Sequence, residues 1–265
     1  MTGPLSDPRA LLEGDLLHIG FHGTGKASYP EDIVTPAVYR ALAQHLRIDL
    51  HTEGEFWGDY CYFAGVTGEA FRFLEFLDFV GPARRQPSRP WVERYGHMTA
   101  VQMHQHALAA AGLTAEVHVR PRFPEMADLR QRIVASLRDR QTPVIGIGAF
   151  GPPESFLVTG YADNGDVLLG WSHFQAEKKD DPRVSFEPSG QFRLRDWYEA
   201  VDGLVIVTGR RDLQEPAAVY RATLARALPE LGTTGTDAEP LGTAALARWA
   251  ARLEDEDAFA GWTDE

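Results

Sequence analysis

Thiol, imidazole and carboxylate side chains are where chemistry would begin, and this chain has one cysteine and nine histidines. Cys61 stands in Trp57-Gly-Asp-Tyr-Cys-Tyr-Phe63. A lone cysteine among aromatics reads first as a small buried hydrophobe and second as a nucleophile. Glu154 follows a Gly-Pro-Pro turn and precedes an apolar run. It reads as a turn carboxylate or as a pocket acid able to accept a proton. Trp171, His173 and Gln175 recur at period two, so an extended chain puts them on one face, as a buried polar network or as a ligand site. Tyr39 is expected across a cleft from them. His97 and His104 fall on an apolar helical stripe and read as core histidines. His104 and His106 cannot share a helical face, and His18 and His22 lack a spacing partner, so no metal site is expected. No cofactor is expected either. His22-Gly-Thr-Gly-Lys26 has phosphate-loop glycines without the phosphate-loop spacing. No Gly-x-Ser-x-Gly elbow occurs.

The elements that must position these residues follow from periodicity and punctuation. Residues 1–15 read as a frayed lead-in and 16–21 as a short strand. Pro36 opens a helix carrying Val38, Leu42 and Leu46. Thr67 is expected to cap the start of a second helix, with Glu69 in its first turn and Ala70, Phe71, Leu74 and Leu77 inward. Residues 82–92 form a proline- and arginine-rich loop. A third helix covers 98–111 and ends at Gly112. Residues 125–140 form the clearest amphipathic helix, with Met126, Leu129, Ile133 and Leu137 at helical spacing. Strands are expected at Val117–Val119, Val144–Phe150, Ser155–Tyr161, Val167–Trp171, Gln191–Leu194 and Leu204–Thr208. Asn164-Gly165 marks a hairpin between the third and fourth of these. Helices first and antiparallel strands afterwards give an α+β class. The tail is helical, with Val219, Tyr220, Leu224, Leu228 and Leu231 as one docked stripe and Leu246, Trp249 and Leu253 as another. A polar linker, 232–242, joins them, and the acidic run at 254–257 is expected in solvent.

Five stretches recur together in one known set of proteins. They are Tyr29-Pro-Glu-Asp32, Gly65-Val-Thr-Gly-Glu-Ala-Phe71, Gly151-Pro-Pro-Glu154, Gly170-Trp-Ser-His-Phe-Gln175 and Phe192-Arg-Leu-Arg-Asp-Trp197. With the Thr159-Gly-Tyr161 strand, they make the chain resemble papain-like cysteine peptidases, including the bacteriocin-processing kind. The nearer resemblance is to bacterial relatives of the N-terminal domain of butirosin biosynthesis protein H. It covers roughly residues 15–255. It implies a papain-like fold over 16–210, N-terminal helices packed on an antiparallel sheet, with a helical extension over 211–265. It also implies where a catalytic triad would stand. Val38 occupies the cysteine position, Glu154 the histidine position and Gly170 the position of the orienting carboxylate or amide. None can serve as the residue it replaces, so the inherited peptidase activity is expected to be absent.

Three readings of function stand side by side. The first is a pseudoenzyme that binds a small molecule or peptide segment in the vacated cleft, lined by Tyr39, Glu154, Trp171, His173 and Gln175. The second is an acyl- or amide-transfer enzyme of secondary metabolism, as the butirosin-type resemblance implies, using Cys61 with Glu154 as proton acceptor. The third is an interaction module, with the C-terminal helices available for homo-oligomer formation. A formal net charge of -12 repels phosphate backbones and anionic lipid, so nucleic acid and membrane are not expected as partners. There is neither a basic leader nor an apolar run near the roughly 20 residues of a membrane span. The expected location is the cytoplasm.

Overall fold

Apolar, β-branched and aromatic residues are densest between residues 144 and 171, and the sheet is built around them. The computed structural model describes residues 10–12, 34–50, 52, 56–71, 100–150, 155–232 and 242–253. Three strands follow one another there: β3 (Val144–Ile147), β4 (Ser155–Ala162) and β5 (Val167–Trp171). The others are β1 (Ala10–Leu11), β2 (Leu113–Val119), β6 (Val184–Phe186), β7 (Phe192–Leu194) and β8 (Gly203–Arg210). All pairings are antiparallel, in the order β2-β8-β3-β4-β5-β7-β6, and β1 also pairs with β4. The helices are α1 (Val34–His45), α2 (Phe56–Thr67), α3 (Ala100–Ala110), α4 (Met126–Arg138), α5 (Trp197–Ala200), α6 (Pro216–Gly232) and α7 (Gly242–Leu253). The class is α+β, as the order of elements implies.

The hairpin between β4 and β5 turns through Asp163, Asn164 and Gly165, all at positive φ (52°, 54° and 92°). Asparagine and glycine tolerate that region best, which is why Asn164-Gly165 marks the turn. The indole N–H of the fully buried Trp197 donates to the Gly165 carbonyl at 2.9 Å. Gly112 ends α3 at φ 62°.

Four expectations are corrected. Thr67 ends a helix instead of starting one. Residues 56–67 are apolar nearly all round, so they show no helical period, yet they form α2. The Thr67 hydroxyl bonds back to the Phe63 carbonyl at 2.7 Å, and Gly68 at φ 84° closes the helix. Part of the lead-in, Ala10–Leu11, is a strand against Gly160 and Tyr161. The strand β5 stops at Trp171, so period-two alternation does not carry through His173 and Gln175. Lastly, the tail stripe is split. Val219, Thr223 and Ala227 face inward, whereas Tyr220, Leu224 and Leu228 are exposed. The inward row is small because α6 comes close to α2 there, with the Thr223 methyl over Gly65. The expected strand at 16–21, the loops at 22–28 and 82–92, His97, Leu74 and Leu77, the residues 233–241 and the acidic run 254–257 lie outside the described residues, as do the side chains of Glu69, Trp249 and Leu253.

Directly paired residues of an antiparallel ladder share a face, and neighbours along a strand alternate. Gly146 is paired with Phe156 and Leu204, and Gly170 with Val158 and Phe192, so all six lie on one face. Phe150, Phe156 and Phe192 cluster there, with ring centroids 4.5–5.6 Å apart. A Cβ on Gly146 would sit 2.1 Å from the Phe156 ring, and one on Gly170 would sit 2.0 Å from the Leu157 carbonyl oxygen. Both glycines are therefore demanded by packing. Gly170→Ala is expected to cost about 3 kcal/mol of stability in denaturant unfolding, because the obstacle is backbone and cannot rotate away. A loss under about 0.5 kcal/mol would show that the strands can part at no cost.

Candidate functional site at the start of strand β4

Thr35 lies in the first turn of α1 next to Pro36, and Ser155 opens β4. Both side chains are fully buried, and their hydroxyl oxygens lie 3.0 Å apart. The first turn of a helix thus meets the first residue of the central strand. One hydroxyl donates to the other. Neither touches an acid or an imidazole among the hydrogen bonds of the described residues. The pair is a buried hydrogen bond between neutral groups, and among the described residues no base stands beside it to make either oxygen a nucleophile.

The residues proposed from the triad pattern fall elsewhere. Val38 lies one turn further along α1 and is wholly in the core. Gly170 lies on the sheet face opposite Ser155, since Ser155 and Leu157 share a face and Leu157 pairs with Trp171. A side chain at 170 would point away from the Thr35–Ser155 contact as well as striking Leu157. The β5 residue on the same face as Ser155 is Trp171. Glu154 lies outside the described residues. Sequence reasoning missed Thr35 and Ser155. The available signal was a hydroxyl at a helix start and another at a strand start, both common for capping alone.

The candidate ligand residues have other employment. Tyr39 is fully buried and lines no surface cleft. It stacks on Phe63 at 5.5 Å, and its Oη lies 2.8 Å from His104 Nδ1 and 3.3 Å from the His104 carbonyl oxygen. Nδ1–H donating to Oη, and Oη–H to the carbonyl, satisfies every hydrogen of the pair. His104 Nε2, which has no partner among the described residues, is then a bare acceptor, a cheaper orphan than an N–H. Burial pushes Tyr39 well above its ordinary pKa and lowers His104 to about 3. Gln175 braces the loop after β5: its Oε1 accepts the Ser172 N–H at 3.0 Å and its Nε2 donates to the Gly190 carbonyl at 2.8 Å. Trp171 packs against Gly190, and His173 stands edge-on to Phe174 at 4.8 Å. Trp171 and His173 are half-buried and so reach the surface.

Cys61 is exposed on α2, contrary to its expected burial, because Tyr62, Phe63 and Val66 take the inward positions. Among the described residues no three histidine, cysteine or acidic side chains converge as a metal site requires. On the opposite face of the sheet, a polar cleft of about 390 Å³ separates α4 from β2 and β8. Glu116 on its wall pairs with Arg132 and with His118 at 3.0 Å.

Two outcomes are expected. Ser155→Ala leaves the Thr35 hydroxyl buried without its partner and should cost about 1–3 kcal/mol, whereas adding Thr35→Val should recover much of that loss. Strictly additive losses would mean that the two hydroxyls do not interact. The second concerns acid. The folded His104 value, about 3, lies below the ordinary 6.5. Between them the unfolded chain takes up a proton that the folded one refuses. This contribution is constant above about pH 6.5 and falls by about 1.4 kcal/mol per unit toward pH 3. His104→Gln should flatten the stability–pH curve over that window. An unchanged slope would place the imidazole in contact with water. No family model, no curated protein and no solved structure matches this chain, so its function has to be argued from the site itself.

Proposed function

We propose that the chain is a papain-like protein without peptidase activity that binds a small molecule or peptide segment where β4 begins and β5 ends. The observation that carries this reading is the Thr35–Ser155 pair. It stands at the meeting of helix start and strand start, close in the chain to Val38 and Glu154, the positions that the resemblance gives to the cysteine and the histidine. Two buried hydroxyls there hold neither charge nor base. Trp171 lies on the same face, offers an apolar plane and reaches the surface. His173 follows it in the chain, and Glu154 directly precedes Ser155. Tyr39 is left out of the binding set because it is spent on His104.

Cys61 supports a second reading. Its exposure leaves it free to act as the acyl acceptor of an acyl- or amide-transfer enzyme, although the described residues set no base beside it.

Native mass spectrometry of the purified full-length protein tests the first reading directly. A bound small molecule or peptide is expected, with no cleavage of casein. Trp171→Ala should abolish the adduct while leaving the melting temperature within a few degrees. Glu154→Gln, which removes only charge, should weaken binding by about 1.5–3 kcal/mol if the carboxylate accepts a ligand hydrogen bond. A turnover lost on Cys61→Ser would overturn the binding-only reading in favour of acyl transfer.

A further inference from the structure

The sheet has two outer strands among the described residues, and they differ. The strand β6 is three residues long, whereas β2 runs for seven, Leu113–Val119. Outer strands are commonly blunted by shortness, by lysine or proline, or by a bulge. No lysine or proline stands in β2, and the register shift beside it adds Thr208 to β8, so β2 itself stays regular. The phase of its hydrogen bonds follows from its two ends. The Arg120 amide donates to the Asp202 carbonyl at 2.9 Å, and the Arg211 amide donates to the Gly112 carbonyl at 2.9 Å. Peptide groups alternate along a strand, so the even-numbered residues face β8, and Leu113, Ala115, Val117 and Val119 turn theirs outward. No hydrogen bond of the described residues meets the outward groups of Ala115 and Val117. Both side chains are half-buried against the core. Glu116 and His118 lie on the other face of the strand, toward α4.

Such an edge takes another strand, and the side chains decide which. A second β2, antiparallel to the first about a two-fold axis through Val117, sets Val117 opposite its counterpart, Ala115 opposite Val119 and Glu116 opposite His118. The outward peptide groups of 115, 117 and 119 then fall on hydrogen-bonded rungs. Glu116 and His118 fall on the rungs between, where side chains come closest, and they are complementary there as acceptor and donor. An axis through Glu116 would oppose two carboxylates directly. An axis through Ala115 would set Glu116 against Thr114 and carry His118 past the strand to Gly112. Arg132 already pairs with Glu116, so the seam holds as many guanidinium groups as carboxylates, although each chain carries a net charge of -12. The segment is thus its own complement in one register. We propose that two copies of the chain join along the free edge of β2, with the two-fold axis through Val117 and Glu116 of each copy facing His118 of the other.

Sedimentation equilibrium of the full-length protein across the micromolar range tests this, at about 0.15 M salt so that the net charges of the two copies are screened beyond about 8 Å. A dimer of twice 29.4 kDa is expected. His118→Glu, which opposes carboxylates at two rungs, should weaken it by about tenfold or more. Exchanging the two residues, Glu116→His with His118→Glu, should restore most of the association, as a purely structural role for His118 would not. Val117→Pro removes an outward N–H while sparing the ladder with β8, and should abolish the dimer. Should proline disturb the fold, hydrogen exchange of the unaltered protein reads the same contact: the Ala115 and Val117 amides should gain protection as concentration rises. A monomer at every concentration overturns the proposal. So does a dimer indifferent to these variants, or one that only Leu224→Asp abolishes, which would place it on α6. Equal protection of the two amides at every dilution also overturns it, since another segment of the same chain would then fill the edge.

Discussion

The eight residues of β4 are buried without exception, and the peptide groups of such a strand must find every hydrogen bond inside the protein. On one side β5 covers Leu157–Ala162. On the other, β3 covers Ser155–Val158 and then ends. The two residues of β1 continue where β3 stops, and the Leu12 amide donates to the Thr159 carbonyl at 2.6 Å in the gap between them. The short N-terminal strand is thus the completion of the central one. The register slips between Val158 and Gly160, and the hydroxyl of Thr159, in that irregularity, has no partner among the described residues. Bulges recur where a strand must re-aim its side chains. Here the slip sets Tyr161 on the α4 side of the sheet.

Packing on the two faces of β4 follows different rules. Toward α4 the contact is aromatic, with phenylalanine rings spread over glycines that have no side chain to obstruct them. Toward α1 it includes a buried polar pair, Thr35 with Ser155, and a second buried pair, Tyr39 with His104, ties α1 to α3. Buried hydrogen bonds contribute only about 1 kcal/mol net, yet each forbids any seating that would orphan its groups. The apolar contacts supply most of the attraction between α1 and the core. The polar pairs choose among the ways α1 could lie.

What was legible in the residues has a common physical basis. The helix α4 shows because one face is wet and the other dry, which imposes a 3.6-residue period. The β4–β5 hairpin shows because positive φ restricts the residue types that can occupy its turn. The helix α2 does not show, since a segment packed on nearly all sides has no period to read. Trp171, His173 and Gln175 appear as one face only while the chain stays extended, and it folds into a turn after Trp171. Thr35 and Ser155 are 120 residues apart, and no local pattern brings two such hydroxyls together. The α6 row misled for a related reason. Leucines at period four suggest burial, but the row one step round the helix, Val219, Thr223 and Ala227, fits the close approach to α2.

Burial of the Thr35–Ser155 contact also constrains the chemistry this fold can host. A thiolate–imidazolium pair at the same place would set two charges in a position without solvent. Their mutual attraction there repays the loss of hydration only with further hydrogen bonds. No such donors surround the pair among the described residues, whereas two neutral hydroxyls satisfy each other and need no more. Placing a thiol nucleophile there would therefore take more than one substitution. A cysteine at 35 would gain the helix terminus, which favours its thiolate, but Ser155 offers it no base. At this end of the sheet Trp171 and His173 are half-buried and reach solvent, whereas the hydroxyl pair does not.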